Sequence, residues 1–314
     1  MRARAFAKIN LTLRVLGVRE DGYHSLRTVL QSLALHDTLT FQRMPGGFRM
    51  ACDDPACPTD RTNLVWRAAE AVWKAAGRRG HPRDVMVRIA KRIPLQSGLG
   101  GGSSDGAAAI RGFSALWRVE LPRERRHAIA ADLGADVPFF LAGGTSLGLD
   151  RGDLLFPLVD QPDAWVTLAV PPFGVSTKEA YEWFDITRAA PFQRVISQRA
   201  FRPAVSGGPE VRAVGRAAIA LATWPAAELR NDLEPTVVRH HPEVATLIGG
   251  FRKHGAFYAA MSGSGSALFG LFDSRGRAEA AARALGGTGT RTLVTRTLSR
   301  RRFEQLSRVD LPAK

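Results

Sequence analysis

A chain of 314 residues, 45% hydrophobic and 23% charged, is long enough for two domains of ordinary size, and a soluble globular protein with a proper core is expected. The formal charge of +15, from 44 Lys and Arg against 29 Asp and Glu, suits anionic ligands, but the basic residues are dispersed and no aromatic-interleaved RNA-binding pattern accompanies them. No apolar run after Met1 is long enough for a signal peptide or membrane span, and Cys52 and Cys57 lack a second Cys/His pair at zinc spacing, so a cytoplasmic protein with reduced thiols is expected.

Residues 4–15 read as a strand, with Ala7, Ile9, Leu11, Leu13 and Val15 on one face and Lys8, Asn10 and Thr12 on the other. As an edge strand it could show those polar residues to solvent, although a lysine is notable where only six of 44 basic residues are Lys. Asp21-Gly22 marks a turn ahead of Tyr23-His24, which by themselves read as surface residues. Two strands are expected, around 27–34 and 38–42. The Asp53–Asp60 segment reads as a loop. Val65, Ala68, Ala69, Val72, Trp73 and Ala76 mark an amphipathic helix, capped near Thr62 or Asn63 and stopped at Gly77, with Asn63 most simply a cap.

Val85, Val87 and Ile89 then alternate as in a half-buried strand, and Ile110, Phe113, Ser114 and Trp117 recur at helical spacing. Between them stands Pro94-Leu95-Gln96-Ser97-Gly98-Leu99-Gly100-Gly101-Gly102-Ser103-Ser104-Asp105, with Ser103 or Ser104 as candidate N-cap. Glycines where a strand hands over to a helix let a ligand approach the backbone, at the end of a helix where free N–H groups collect. The pattern reads as a phosphate cradle. It is no Walker loop, because no lysine follows a glycine with Ser or Thr behind it. A dinucleotide fingerprint would need glycine at Ser103, the protein-kinase loop fails in the same way, and no His-Arg-Asp or Asp-Phe-Gly follows.

A helix is expected at about 123–133, ended by Gly134. Asp136 ahead of Pro138 reads first as a helix cap. A strand follows Gly143-Gly144, and the segment 150–163 is the best domain boundary. The second half reads as strand 165–170, a helix from Ser176-Thr177 carrying Tyr181 and Trp183, and a helix at 243–253. Strands 256–261 and 267–272 are joined by Ser262-Gly263-Ser264-Gly265-Ser266, which could be a plain turn or a second place where backbone closes on a ligand. A helix at 278–285 and a strand at 292–298 follow. Residues 188–212 give no clear reading, and Arg296, Arg300, Arg301 and Arg302 read as a solvated surface.

Together Ala7-Lys8-Ile9-Asn10-Leu11, Asp21-Gly22-Tyr23-His24, the glycine loop, Gly134-Ala135-Asp136-Val137-Pro138-Phe139-Phe140, Gly174-Val175-Ser176-Thr177, Asn231-Asp232-Leu233-Glu234 and Met261-Ser262-Gly263-Ser264-Gly265 resemble the galactokinase/homoserine kinase/mevalonate kinase/phosphomevalonate kinase (GHMP) superfamily. The loop alone would carry only the superfamily. Its combination with Lys8, Tyr23-His24 and the Asp136 segment resembles the kinases of 4-diphosphocytidyl-2-C-methyl-D-erythritol in the non-mevalonate isoprenoid pathway. Gln96-Ser97 and Gly106 depart from the usual residues without removing a phosphate-binding N–H, and 188–225 matches weakly.

The resemblance implies an α+β, two-domain fold: an N-terminal mixed-sheet ATP-binding domain (1–155), a ferredoxin-like C-terminal domain (164–314), and the active site between them. It implies transfer of a phosphoryl group from ATP, with Mg²⁺, to the 2-hydroxyl of the cytidyl alcohol. Lys8 and Asp136 become the catalytic pair, Asp136 taking or orienting the hydroxyl proton and Lys8 holding Asp136 ionised. Pro94, Gly98, Leu99, Gly100, Gly101, Gly102, Ser103 and Ser104 would wrap the triphosphate, and Asn63 and Lys91 would lie near the adenine. Asn10 would meet the methylerythritol part, His24 the cytosine edge beside Tyr23, Tyr181 the face of that ring, and Thr177 the diphosphate side. Ser103, Ser104 or Asp136 would be the protein's reach toward the metal. The expected partner is this small molecule, without membrane or nucleic acid, on a monomer or weak homodimer. The alternatives are another GHMP small-molecule kinase, of homoserine or mevalonate type, and a basic nucleic-acid-binding protein on the same scaffold.

Overall fold

Apolar alternation from Ala3 to Val15 builds a single long strand, β1 (Arg2–Val18), in a computed structural model that describes residues 1–160, 162–187, 229–287 and 289–311. The stretches expected as two strands form one, β2 (His24–Gly47), because no Gly or Pro interrupts residues 35–37 and β1 pairs across them. β2 meets β1 along one side and divides its other side between two partners. Residues 38–47 pair with β4 (Arg83–Ala90), which carries β3 (Arg49–Cys52) in parallel, and residues 26–31 pair with β5 (Thr145–Asp150), followed by β6 (Leu154–Pro157). The result is a mixed six-stranded sheet.

Helices α1 (Leu64–Ala75), α2 (Gly101–Trp117) and α3 (Arg123–Leu133) cover one face of this sheet. At Gly106 of α2 a Cβ would sit 3.2 Å from Leu64 Cβ. The glycine therefore lets α2 approach α1 closely. A short helix, α4 (Phe139–Ala142), follows α3.

The second half forms an antiparallel sheet from β7 (Trp165–Val170), β8 (Tyr258–Met261), β9 (Leu268–Phe272) and β10 (Arg291–Arg296). The last strand lies beside the first, and the third lies between first and second, which is the ferredoxin-like arrangement. Its helices among the described residues are α5 (Thr177–Thr187), α6 (Glu234–His240), α7 (Glu243–Lys253) and α8 (Arg275–Leu285). Residues 188–212, unread in the sequence, lie outside the described residues.

The two sheets meet through a shared apolar layer. Ala7, Ile9, Leu11, Val29 and Leu33 of the first pack with Val166, Leu168, Phe269 and Leu271 of the second. β1 stands at an edge of its sheet, paired among the described strands only with β2, but the option of a solvated polar face does not hold. Lys8, Asn10 and Thr12 are each 5% exposed or less: on the face away from the second sheet, the glycine loop closes over Lys8 and the turn at Gly263 over Asn10. Backbone pairing of Leu13 with Arg230 and Asp232 closes the strand's free edge.

The C-terminal residues return to the first sheet. Leu298 N–H donates to Ser32 O at 2.8 Å, and Phe303 of α9 (Arg300–Leu306) packs against Phe6. The basic stretch around it is only partly the solvated surface that was expected. Arg301 and Arg302 are exposed, but Arg300 donates to the carbonyls of Gly143 (2.7 Å) and Thr145 (2.6 Å). It fastens the end of the chain to the start of β5.

Candidate active site

Helix α2 begins one residue after the point where the chain must turn sharply, and its N-cap is Gly100 in a left-handed conformation (φ 73°). The expectation that Ser103 or Ser104 caps this helix is corrected: both lie inside its first turn. Any Cβ at Gly100 would lie 2.7 Å from the Phe140 ring and 3.1 Å from Lys8 Cγ. The backbone N–H groups of Gly101, Gly102 and Ser103 are the ones a helix leaves without internal acceptors. Gly102 and Ser103 line a cleft of about 610 Å³, and a Cβ on Gly102 would meet no protein atom within 4 Å. That side of the loop is open to a ligand, with N–H donors directed by a helix start.

The other side of the loop is closed by the second small-residue stretch. Gly98 (φ 82°) lies so near the Ser262 carbonyl that a Cβ would come within 2.4 Å of it. Ala267 N–H donates to Ser97 O at 3.0 Å, and Ser262 Oγ donates to Gly98 O at 3.2 Å. Residues 262–266 are thus more than a hairpin turn between β8 and β9: they brace the glycine loop. Asn231 in turn holds them, its Nδ2 donating to Met261 O (3.0 Å) and Gly263 O (2.7 Å). Glu234 accepts from Met261 N–H at 2.9 Å, and burial raises its pKa.

Lys8 and Asp136, 128 positions apart in the chain, meet at the mouth of this loop. Lys8 N–H donates to Leu99 O at 3.0 Å, which fixes β1 to the loop. Its Nζ donates to Asn10 Oδ1 at 2.6 Å and lies 3.6 Å from Asp136 Oδ2. Asp136 does not cap a helix; the cap of α4 is Pro138. The lysine side chain is 5% exposed and the carboxylate 40%, so the cation is sealed in while the acid opens on the cleft. Asn10 Nδ2 donates to Thr28 Oγ1 at 2.8 Å, and Thr28 Oγ1 donates onward to Thr12 O at 2.6 Å. Lys8, Asn10 and Thr28 are therefore held in one chain of hydrogen bonds.

The cleft continues past Asp136 to Tyr181 and Thr177 on α5. Tyr181 stacks on His24, ring centroids 4.5 Å apart at 22°. Burial, with the carboxylates of Asp136 and Asp185 nearby, raises the Tyr181 pKa and keeps its phenol protonated. His24 Nε2 lies 2.9 Å from Asp185 Oδ1. Thr177 Oγ1 and Ser264 Oγ are 2.9 Å apart, so α5 touches the bracing turn. Tyr23, by contrast, is 62% exposed and is not part of the cleft lining.

Two expected nucleotide residues have other partners. Asn63 Oδ1 accepts from Val65 N–H at 2.9 Å and its Nδ2 donates to Pro58 O at 2.7 Å. It caps α1, and its neighbour Leu64 lines the cleft. Lys91 Nζ donates to Asp37 Oδ2 at 2.5 Å and Asp105 Oδ2 at 2.9 Å, with all three side chains 3% exposed or less. Burial alone would lower the Lys91 pKa, but the two carboxylates reverse this and raise it. Burial, opposed by Lys91 and reinforced by Asp37, pushes the Asp105 carboxyl up to about 8. The triad lies directly beneath Gly101, where a Cβ would be 3.3 Å from Lys91 Nζ.

Asp185, Thr28, Asp37 and Asp105 escaped the sequence reading. Asp185 lies one helical turn beyond Tyr181, so the i, i+4 spacing could have joined them. Asp37, an acid among Leu33, Leu35, Leu39 and Phe41, was legible as a charge needing a buried partner. Asp105 and Thr28 carried no such mark.

Among the described residues no group of three or more His, Cys, Asp or Glu could hold a metal ion. A metal here would depend on phosphate oxygens, with hydroxyls and Asp136 beside them. Ser104 Oγ, buried without a hydrogen-bond partner, suits that position.

Residues 63–144 match the GHMP kinases N terminal domain, and residues 217–290 match the GHMP kinases C terminal family. A 4-diphosphocytidyl-2-C-methyl-D-erythritol kinase of Moorella thermoacetica is 40% identical over 94% of this chain and 98% of its own length. One of Gloeobacter violaceus is 39% identical over 91% of this chain and 90% of its own. The crystal structure of a 4-(cytidine 5'-diphospho)-2C-methyl-D-erythritol kinase superposes with a TM-score of 0.73 at 34% identity, covering 95% of this chain and 99% of that one. A homoserine kinase from Cytophaga hutchinsonii, at 20% identity and a TM-score of 0.64 over 95% of each chain, shares the fold.

Proposed function

Since the chain belongs to the GHMP kinases, among the 4-diphosphocytidyl-2-C-methyl-D-erythritol kinases, we propose that it phosphorylates the 2-hydroxyl of that cytidyl alcohol with ATP, giving the 2-phosphate and ADP. The observation that carries the chemistry is the meeting of Lys8 and Asp136 at the open side of the glycine loop. Phosphoryl transfer needs an alcohol held in line, a place for its proton and positive charge near the transferred group.

Asp136, the more open member of the pair, receives or orients the hydroxyl proton. Lys8 steadies charge as the phosphoryl group moves. Asn10, held by Lys8 and Thr28, positions the methylerythritol end. Backbone N–H groups from Gly101 to Ser103 grip the triphosphate, with Pro94, Gly98, Leu99 and Gly100 shaping the turn and Ser104 within reach of the metal. ATP supplies the phosphoryl group, and Mg²⁺ screens the phosphate charges during transfer.

The open Gly102 position and the unpaired Ser104 hydroxyl fit these ligands. Lys91 supports the floor of the loop through Asp37 and Asp105, and Asn63 shapes the adenine end through its cap beside Leu64. Tyr181 offers an aromatic face for cytosine, His24 the ring-edge contact, and Thr177 a hydroxyl toward the diphosphate. Tyr23 closes over the base only if its loop folds inward from its exposed position. No helix among the described residues is long and apolar enough to cross a membrane; a cytoplasmic enzyme, monomeric or weakly dimeric, is part of this proposal.

The test is an ADP-coupled assay with the cytidyl alcohol, homoserine and mevalonate in parallel. Turnover confined to the cytidyl alcohol is the expected result. Preference for either of the others would replace this reading with the corresponding GHMP kinase.

A further inference from the structure

The far end of α2 carries a charge cluster that the kinase reaction does not use. A second cavity of about 610 Å³ is lined by Arg111, Arg118 and Arg126, with Ser114 and Glu120 beside them. Arg111 donates one bond, from Nη1 to Phe140 O at 2.7 Å. Its Nε and Nη2 are buried and have no hydrogen-bond partner. Arg126 donates from Nη2 to Leu121 O at 3.1 Å. Among the described residues no carboxylate pairs with any of the three arginines, and Glu120 forms no salt bridge.

A buried guanidinium with idle donors is costly, and a second guanidinium nearby makes it more so. Burial and the Arg126 charge lower the Arg111 pKa to about 10. The neighbouring groups do not supply the missing anion. Arg123, Arg125 and His127 add to the positive side of α3, against Glu124 in its first turn and Asp132 at its far end; burial, then Arg123 and Arg126, lowers the His127 pKa. An oxyanion would answer all of this at once, because phosphate accepts several guanidinium bonds in a forked geometry.

We propose that this cavity is a second anion site, in which Arg111, Arg118 and Arg126 take a phosphate- or pyrophosphate-bearing ligand. The site lies at the opposite end of α2 from the glycine loop, so one helix would carry an anion at each end. Arg111 also holds the carbonyl of Phe140, whose ring borders Gly100.

The test is calorimetric titration of the whole protein with its glycine loop already saturated by a non-hydrolysable ATP analogue and Mg²⁺. Inorganic phosphate, inorganic pyrophosphate and glycerol 2-phosphate are the three probes, distinguishing a free anion from a phosphate ester. One binding event per chain is expected with at least one probe. Arg118→Ala with Arg126→Ala should weaken it about tenfold or more. Arg111→Met should abolish it, with circular dichroism reporting whether that variant folds. No heat with any probe, or unchanged affinity in the Arg118/Arg126 double variant, overturns the proposal.

Discussion

Replacing Gly102 by alanine separates a phosphate cradle from an ordinary helix start. The residue is the second of α2, and a Cβ there meets no protein atom within 4 Å. Alanine should therefore stabilise the fold by about 0.4–1 kcal/mol, chiefly by restricting the unfolded chain. In a chain of this size that raises the melting temperature by about one to three degrees. The same methyl group projects into the cleft where the triphosphate would lie. Displacing it from the loop N–H groups removes one charge-assisted hydrogen bond of about 1.5–3 kcal/mol, so ATP should bind about ten- to a hundredfold more weakly.

Melting curves and calorimetry with an ATP analogue read the two effects separately. Greater stability with undiminished nucleotide affinity would refute the cradle. Gly98→Ala in the same loop should behave oppositely. Its φ of 82° and a Cβ 2.4 Å from Ser262 O cost about 1–2 kcal/mol for the backbone alone, with the collision added. A Gly98→Ala protein that melts like the parent would mean the two loops do not brace each other.

Asp136→Asn should lower kcat by about two to four orders of magnitude while the KM for ATP changes little; near-parental single-turnover rates would exclude Asp136 as the proton acceptor. His24→Ala and Tyr181→Ala should raise the KM for the cytidyl alcohol and leave that for ATP unchanged. Should steady-state kinetics show the ATP term moving instead, the two ends of the cleft are reversed. Asp105→Asn should flatten the dependence of stability on pH. The native carboxyl is pushed up to about 8 from its ordinary 3.8, so its contribution is fully present below about pH 4 and is lost as pH rises toward 8. Urea unfolding from pH 5 to 9 should therefore favour the variant increasingly as pH rises, and parallel profiles would contradict the buried triad.

Much of this was legible in the chain because local chemistry and tertiary role coincide. Gly98 and Gly100 turn the backbone, and Gly102 just beyond them leaves the helix start open to a ligand, so one short run of glycines marks both. The helices at 123–133 and 243–253 kept their expected bounds. Resemblance, rather than spacing, joined Lys8 to Asp136, since nothing local tells a strand residue which distant loop it will face.

The misses arose where a partner from elsewhere decided the outcome. Polar residues of β1 could have been solvated until the glycine loop and the turn at Gly263 closed over them, and Arg300 looked like surface until its carbonyl partners at the start of β5 were in place. Asn63 read correctly as a cap from its neighbours alone. Lys91 did not reveal its two acids, because Asp37 and Asp105 approach it from a different strand and a helix.

A ternary structure with the cytidyl alcohol and a non-hydrolysable ATP analogue is the most direct measurement. The triphosphate should rest on Gly98–Ser104, with the 2-hydroxyl oxygen about 3 Å from the Asp136 carboxylate and Lys8 beside them. A nucleotide seated away from that loop, or an alcohol whose 2-hydroxyl faces away from Asp136, would contradict the proposed transfer.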